Sequence, residues 1–189
     1  MKKMKIILFG KIRSGKDTVG EMLIENYGFN RLAFGDEIGW IIKRYFPNAF
    51  DNGKPRHHYQ FIGQQFRQLD ADIWIKELLR KAEVLEHMVG KPVNIVVTDA
   101  RQLNEAEKLK EQGYIVVKVV ADEEIRIDRM KKAGDNFSPE MLEHETEKQV
   151  DLVQPDYVVP NNGTLEDLQE NVDLLVQYIK KREVKEHGR

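Results

Sequence analysis

The sequence predicts an α/β fold: a parallel sheet enclosed by helices in a three-layer arrangement. Three observations predict it. The runs Lys5 to Phe9, Val93 to Thr98 and Tyr114 to Val120 are apolar and short, as strands buried on both faces are. Stretches with helical spacing of apolar residues lie between them. A glycine-bearing turn joins the first run directly to the first helical stretch, so strand and helix alternate from the start of the chain.

The elements follow in order. Lys5 to Phe9 is a strand bounded by Gly10. Lys16 to Tyr27 carries Val19, Met22, Leu23 and Tyr27 at helical spacing, and Gly28 is its expected stop. Arg31 to Phe34 is a short strand. Asp36 to about Gly90 reads as mainly helical: Ile38, Ile41, Ile42 and Tyr45 form one apolar face, Asp51 to Pro55 is a loop, and His58 to Leu69 and Ile73 to Met88 are further helices. After the strand Val93 to Thr98 come a helix from Asn104 to Gln112, ended by Gly113, and the strand Tyr114 to Val120. Glu123 to Lys132 is a charged helix broken by Ala133 to Asn136, and Pro139 to Val150 is a polar helix. Tyr157 to Val159 is the last strand, and a closing helix runs from Leu165 to about Lys181, with the final eight residues expected to fray.

Composition narrows the function classes. Apolar residues make up 41% of 189, enough for one buried core and a single domain. Charged residues nearly cancel to a net −2, which argues against a binder of nucleic acid polymers while leaving room for a local basic cleft. With no cysteine, disulfides and Cys-ligated metals are excluded. No run approaches the ~20 apolar residues of a membrane span, and Ile6 to Phe9 is too short for a signal peptide, so the expectation is a cytoplasmic protein without membrane attachment.

Gly10-Lys11-Ile12-Arg13-Ser14-Gly15-Lys16 fits G-x-x-x-x-G-K, between a predicted strand and a predicted helix. In that context successive amides turn inward as an anion nest and the helix N-terminus adds partial positive charge. Lys16 would reach the terminal phosphates of a nucleotide. The position after Lys16, where a magnesium-binding hydroxyl is usual, holds Asp17, and Thr18 follows. Thr18 is then a candidate for a phosphate oxygen, with magnesium held largely through water. Asp17 either orders those waters or simply favours the helix N-terminus.

The run Arg13 to Thr18 resembles the phosphate loop of the phage-type deoxynucleoside monophosphate kinases. Phe34-Gly35-Asp36 is similar to the segment that opens their monophosphate-binding helices. Gln64 to Arg67 with Asp72-Ile73-Trp74 looks like their acceptor-side helices, Thr98 to Glu105 like the motif after the central strand, and Asp156 to Val159 with Asn161 like the final strand and turn. The resemblance implies one P-loop kinase domain over 1–189: a core of 1–35, 91–121 and 151–181, an acceptor-binding helical insertion at about 36–90, and a lid at about 122–150. It implies transfer from ATP with Mg2+ to a (deoxy)nucleoside monophosphate without a covalent enzyme intermediate. The sequence is also compatible with a homodimer.

Further candidates follow from placement. Asp99 ends a strand at the nucleotide edge, where it would accept from magnesium-bound water or cap a helix. Arg101, Arg67 and Arg44 are candidates to grip an acceptor phosphate, and Asp36 either orients an arginine, contacts the acceptor or caps its helix. Arg126 and Arg129 share a helix face, followed by Lys131 and Lys132, and look like lid arginines that close over the transferring group; the alternative is a solvated charged face. Asn161 is placed on the adenine side. Trp40 and Trp74 are expected in the core or the pocket wall. His144-Glu145-Thr146-Glu147 lacks the spacing of a metal motif. Lys16, Arg13, Arg126, Arg129 and Asp99 form the expected catalytic set. Competing readings are a P-loop kinase of a dephospho-coenzyme A-like, phosphomevalonate-like or sugar-acid acceptor, and a nucleotide switch; a GTPase is disfavoured because no clear N-K-x-D motif is present.

Overall fold

The structure is a computed structural model that describes residues 3–51, 53–134 and 145–187. The order is β1 (Lys5–Phe9), α1 (Lys16–Tyr27), β2 (Asn30–Leu32), α2 (Phe34–Tyr45), a 3-10 turn (Pro47–Phe50), α3 (Arg56–Leu69) and α4 (Ile73–Val89). Then come β3 (Ile95–Val97), α5 (Leu103–Glu111), β4 (Ile115–Val120), α6 (Glu123–Lys132), α7 (Glu145–Leu152), β5 (Tyr157–Pro160) and α8 (Leu165–His187). The strands form one parallel sheet in the order β2-β3-β1-β4-β5. The chain is therefore an α/β protein, a parallel sheet flanked by helices.

Side-chain alternation along β1 builds the layers. Ile7 and Phe9 face one way and join Ile95, Val97 and Val116 under α2, α4 and α5. Ile6 and Leu8 face the other way and join Val96, Val117, Val119 and Val159 under α1 and α8. All four residues are fully buried, which is why this strand reads as a continuous apolar run rather than an alternating one. Every strand runs the same way, so all five carboxyl ends open on one edge of the sheet. The turns at that edge carry the site.

α1 stops where expected. Gly28 adopts φ 65, and the amides of Gly28 and Phe29 donate to Ile24 O and Leu23 O, closing the helix in the left-handed manner glycine permits. Three expectations are corrected. Phe34 opens α2 instead of ending β2, because a distant carboxylate caps the helix there, as described below. α8 continues to His187, past the end expected at about Lys181. Trp40 is 53% exposed, in neither core nor pocket wall, whereas Trp74 is buried and donates from Nε1 to Gly63 O at 3.0 Å. The expected Pro139 to Val150 helix is described from Glu145; residues 135–144, including His144, lie outside the described residues. No described helix is long and apolar enough to cross a membrane.

Candidate functional site: a phosphate loop at the carboxyl edge of the sheet

The loop Gly10 to Gly15 leaves β1 and turns into α1 with two consecutive peculiarities. Arg13 has φ 59, the one non-glycine residue with positive φ among the described residues, and Gly15 has φ 91 at the helix N-cap. The Ser14 amide donates to Lys11 O at 3.0 Å, which curls the backbone so that it wraps a concavity. A side chain at Gly15 would be strained by φ and would overlap the Asn161 amide. Ser14 is 1% exposed, and its Oγ has no hydrogen-bond partner among the described residues. Lys16 is held back into the site: its Nζ donates to Thr98 O at the end of β3 and lies 3.2 Å from Asp17 Oδ1. Asp17 itself is 88% exposed on its side chain, and Thr18 faces the same cleft.

Three elements brace the loop from behind. Asn161, in the turn after β5, donates from Nδ2 to Ser14 O at 2.8 Å. Arg129 of α6 donates to Arg13 O at 3.4 Å, Asn161 O at 3.1 Å and Asn161 Oδ1 at 3.3 Å. Arg126, 3% exposed, donates from Nη1 to Ile12 O at 3.4 Å and reaches Glu123 at 3.5 Å. Lys11 pairs with Asp151 of α7 at 2.7 Å. Arg126 therefore holds the loop backbone without lining the cleft, while Arg129 also lines it. Asn161 serves the loop backbone in this geometry, on the side of the cleft that Gly163, Thr164 and Leu165 continue.

On the other side of β1, the turn after β3 organises α2. Asp99 Oδ1 accepts the Phe34 amide at 2.9 Å and Oδ2 the Gly35 amide at 2.8 Å, so it caps α2 across 65 residues of sequence. Each carboxylate oxygen retains a further acceptor position, so a water-bridged role is chemically compatible with the cap. Asp36 takes both Nη groups of Arg31, at 2.9 and 3.0 Å, and this bond is the main reason the Arg31 pKa rises, with Asp99 and Asp17 adding to it. The Arg31–Asp36 pair was not legible in the sequence: a strand arginine and a helix aspartate five residues on meet only because the turn between them is tight.

The acceptor-side candidates separate. Arg101 lines the cleft. Arg67 instead pairs with buried Glu105 at 3.2 Å, and Glu105 also accepts the amides of Arg101 and Gln102 at 2.8 and 3.0 Å. Burial pushes the Glu105 carboxyl up, against the pull of those two amides and Arg67. Arg44 lies over the exposed Trp40 ring, 5.6 Å from its centroid, and does not line the cleft. Arg56, missed in the sequence, does line it. The cleft measures about 1240 Å3 and is lined, among the described residues, by seven cationic residues, Lys11, Arg13, Lys16, Arg56, Arg101, Arg129 and Lys132, against one carboxylate, Asp17. In a chain of net −2 that concentration selects for polyanions.

A family model described as an AAA domain matches residues 6–151. The chain belongs to this AAA domain family. The matched span of this AAA domain runs from β1 into α7 and so includes the phosphate loop, Asp99 and both α6 arginines. Among solved structures it is similar to TT1252 from Thermus thermophilus, with a TM-score of 0.57 and 21% identity over 94% of this chain and 98% of that one. Shikimate kinase from Acinetobacter baumannii in complex with shikimate gives 0.52 and 19%, over 95% and 94%. A gluconokinase from Sinorhizobium meliloti 1021 gives 0.51 and 18%, over 95% and 97%. At these identities the likeness is one of fold. A curated relative, the uncharacterized protein ORF77 of Ictalurid herpesvirus 1 (strain Auburn), is 24% identical over 144 residues, 72% of this chain; the match spans 62% of that protein's length.

Proposed function

We propose that this AAA domain is an ATP-dependent kinase of a small phosphorylated acceptor, and that the acceptor is a (deoxy)nucleoside monophosphate, as in the phage-type kinases its motifs resemble. The observation that carries the reading is the cleft whose described lining holds seven cations and one carboxylate, built around a phosphate loop. One triphosphate accounts for the loop; the remaining arginines call for a second anion. Fold neighbours named shikimate kinase and gluconokinase support phosphoryl transfer as the reaction. Their named acceptors are carboxylates, so sugar acids belong in the test.

The chemistry asks little of the protein beyond position and charge. An oxygen of the acceptor phosphate attacks the γ-phosphorus of ATP, the bond from γ-phosphorus to the bridging oxygen breaks, and ADP leaves. No side-chain nucleophile is needed. Lys16 exchanges its bond to Thr98 O for phosphate oxygens and follows charge onto the leaving group. Loop amides and the orphaned Ser14 hydroxyl supply neutral donors. Arg13 and Arg129 stand at the loop for the transferred group, and Arg126 acts by holding Ile12. Arg101 faces the second substrate, whereas Asp36 and Arg67 are engaged by Arg31 and Glu105 and Arg44 lies away from the cleft.

The donor set fits magnesium that arrives with ATP. No described group of three His, Cys, Asp or Glu residues could hold a metal by itself, and Mg2+ commonly keeps several waters beside one or two carboxylates and the substrate phosphates. Asp17, exposed at the loop, and Asp99, through water, would hold it. When bound, it supplies neutralising charge to the β- and γ-phosphates.

The test is a screen of the common deoxynucleoside and ribonucleoside monophosphates, with gluconate and shikimate added, using ATP–Mg2+ and a coupled ADP readout. ADP formation that requires one monophosphate is the expected result. Requirement for a carboxylate instead, or slow hydrolysis indifferent to every acceptor, would overturn it.

A further inference from the structure

We infer that Arg56, at the start of α3, is the anchor for the acceptor's anionic group and works with Arg101 across the cleft; the inference rests on the kinase reading above. Both residues line the cleft of the phosphate loop. Neither guanidinium has an ion pair or hydrogen bond among the described residues, in contrast to Arg67, which Glu105 occupies. Arg126 and Arg129 are likewise engaged with loop carbonyls. Two unneutralised planar cations facing one cleft match a phosphate, which takes paired N–H donors from each.

The packing explains why Arg56 is held there. Tyr59 lies one turn on, on the same face of α3. Its ring packs into a notch on α2 formed by Gly35 and Gly39. A Cβ at Gly39 would overlap the Tyr59 hydroxyl, and one at Gly35 would come within 3.7 Å of its ring. Lys54 covers the ring, 4.7 Å from its centroid. Asp99 fixes the first turn of α2 by its two amide bonds, and α2 carries the notch. The start of α3 is therefore registered against the β3 turn that bears Arg101. Acceptor specificity then depends on Gly39 and Tyr59, neither of which lines the cleft.

The experiment is calorimetric titration of protein saturated with AMP-PNP and Mg2+, using each of the four common deoxynucleoside monophosphates and inorganic phosphate. The wild type should bind a monophosphate as second anion. Arg56→Ala should weaken that binding by roughly ten- to a hundredfold, the loss of a charge-assisted pair, while AMP-PNP affinity stays within about twofold. Arg56→Lys should recover part of it, and Gly39→Ala should weaken it with every cation intact. Wild-type monophosphate affinity in Arg56→Ala, an equal loss of both ligands, or a wild type that takes AMP-PNP and no second anion would each overturn the inference. A second anion that binds through Arg56 but never stimulates ADP formation would sink the kinase reading and leave the subsite standing.

Discussion

Asn161 and Arg129 form a two-residue clamp on the phosphate loop. Arg129 Nη2 donates to the Asn161 carbonyl oxygen and to Oδ1, at 3.1 and 3.3 Å, and Asn161 Nδ2 donates in turn to Ser14 O at 2.8 Å. The turn after β5, the helix after β4 and the loop after β1 are thereby held as one unit. A nest of amides binds phosphate well only when its amides are aimed beforehand.

Asn161→Ala should therefore weaken nucleotide binding without removing any group that touches phosphate. The expected loss in ATP-analogue affinity is roughly tenfold, the worth of about one buried hydrogen bond. Gly15→Ala should do at least as much, because its side chain meets φ 91 and the Asn161 amide together. Fluorescent-nucleotide titration measures both. Unchanged affinity in Asn161→Ala would show that the loop is rigid without its clamp.

Lys16→Ala should abolish turnover while the fold survives. Its ammonium bonds a carbonyl at the sheet edge and supports no core contact, so circular dichroism and thermal midpoint should stay near wild type. The rate should fall by at least about a hundredfold, the scale set by loss of one charge-stabilising group. Near-normal turnover would refute the assignment.

Asp99 can be tested for its two roles separately. Asp99→Ala leaves the Phe34 and Gly35 amides without their acceptor and should cost about 1–2 kcal/mol, a fall of a few degrees in thermal midpoint. If Asp99 also orders magnesium-bound water, the variant will need more Mg2+ for half-maximal rate. A lower midpoint with an unchanged Mg2+ dependence would confine Asp99 to capping.

Asp156 gives a pH dependence with a defined sign. Burial opposes its ionisation, but the Val116 amide at 2.9 Å, Lys110 at 2.9 Å and Arg182 at 3.4 Å outweigh it and hold the carboxyl below its usual value. A depressed folded pKa adds stability above the unfolded value, and that stability is lost as pH falls through the folded one. Wild type should lose stability below about pH 4, and Asp156→Asn should be less stable at neutral pH with a flatter acid limb. Urea midpoints between pH 7 and 3 decide it; parallel curves would show that Asp156 carries no such linkage.

Much of the scaffold was legible because its signals are local. Lys5 to Phe9 and Lys16 to Tyr27 were placed to the residue, since a buried central strand is apolar throughout and Gly28 ends the helix by its own backbone freedom. Asp99 and Arg67 were legible as charges near the site but not in their partners. Asp99 serves amides 65 and 64 residues back, and Arg67 a glutamate 38 residues on. Arg56 was passed over because it fell between the loop expected to end at Pro55 and the helix expected to begin at His58, while the structure begins α3 at Arg56 itself.

The sequence by itself determined the alternation of strands and helices, the phosphate loop and the position of Lys16, because each rests on residues within a few positions of one another. Only the tertiary structure decided which arginines stand open to a ligand and which are spent on carbonyls or carboxylates. A guanidinium's task is set by the nearest acceptor in space, and sheet order and helix packing, rather than chain distance, choose that acceptor.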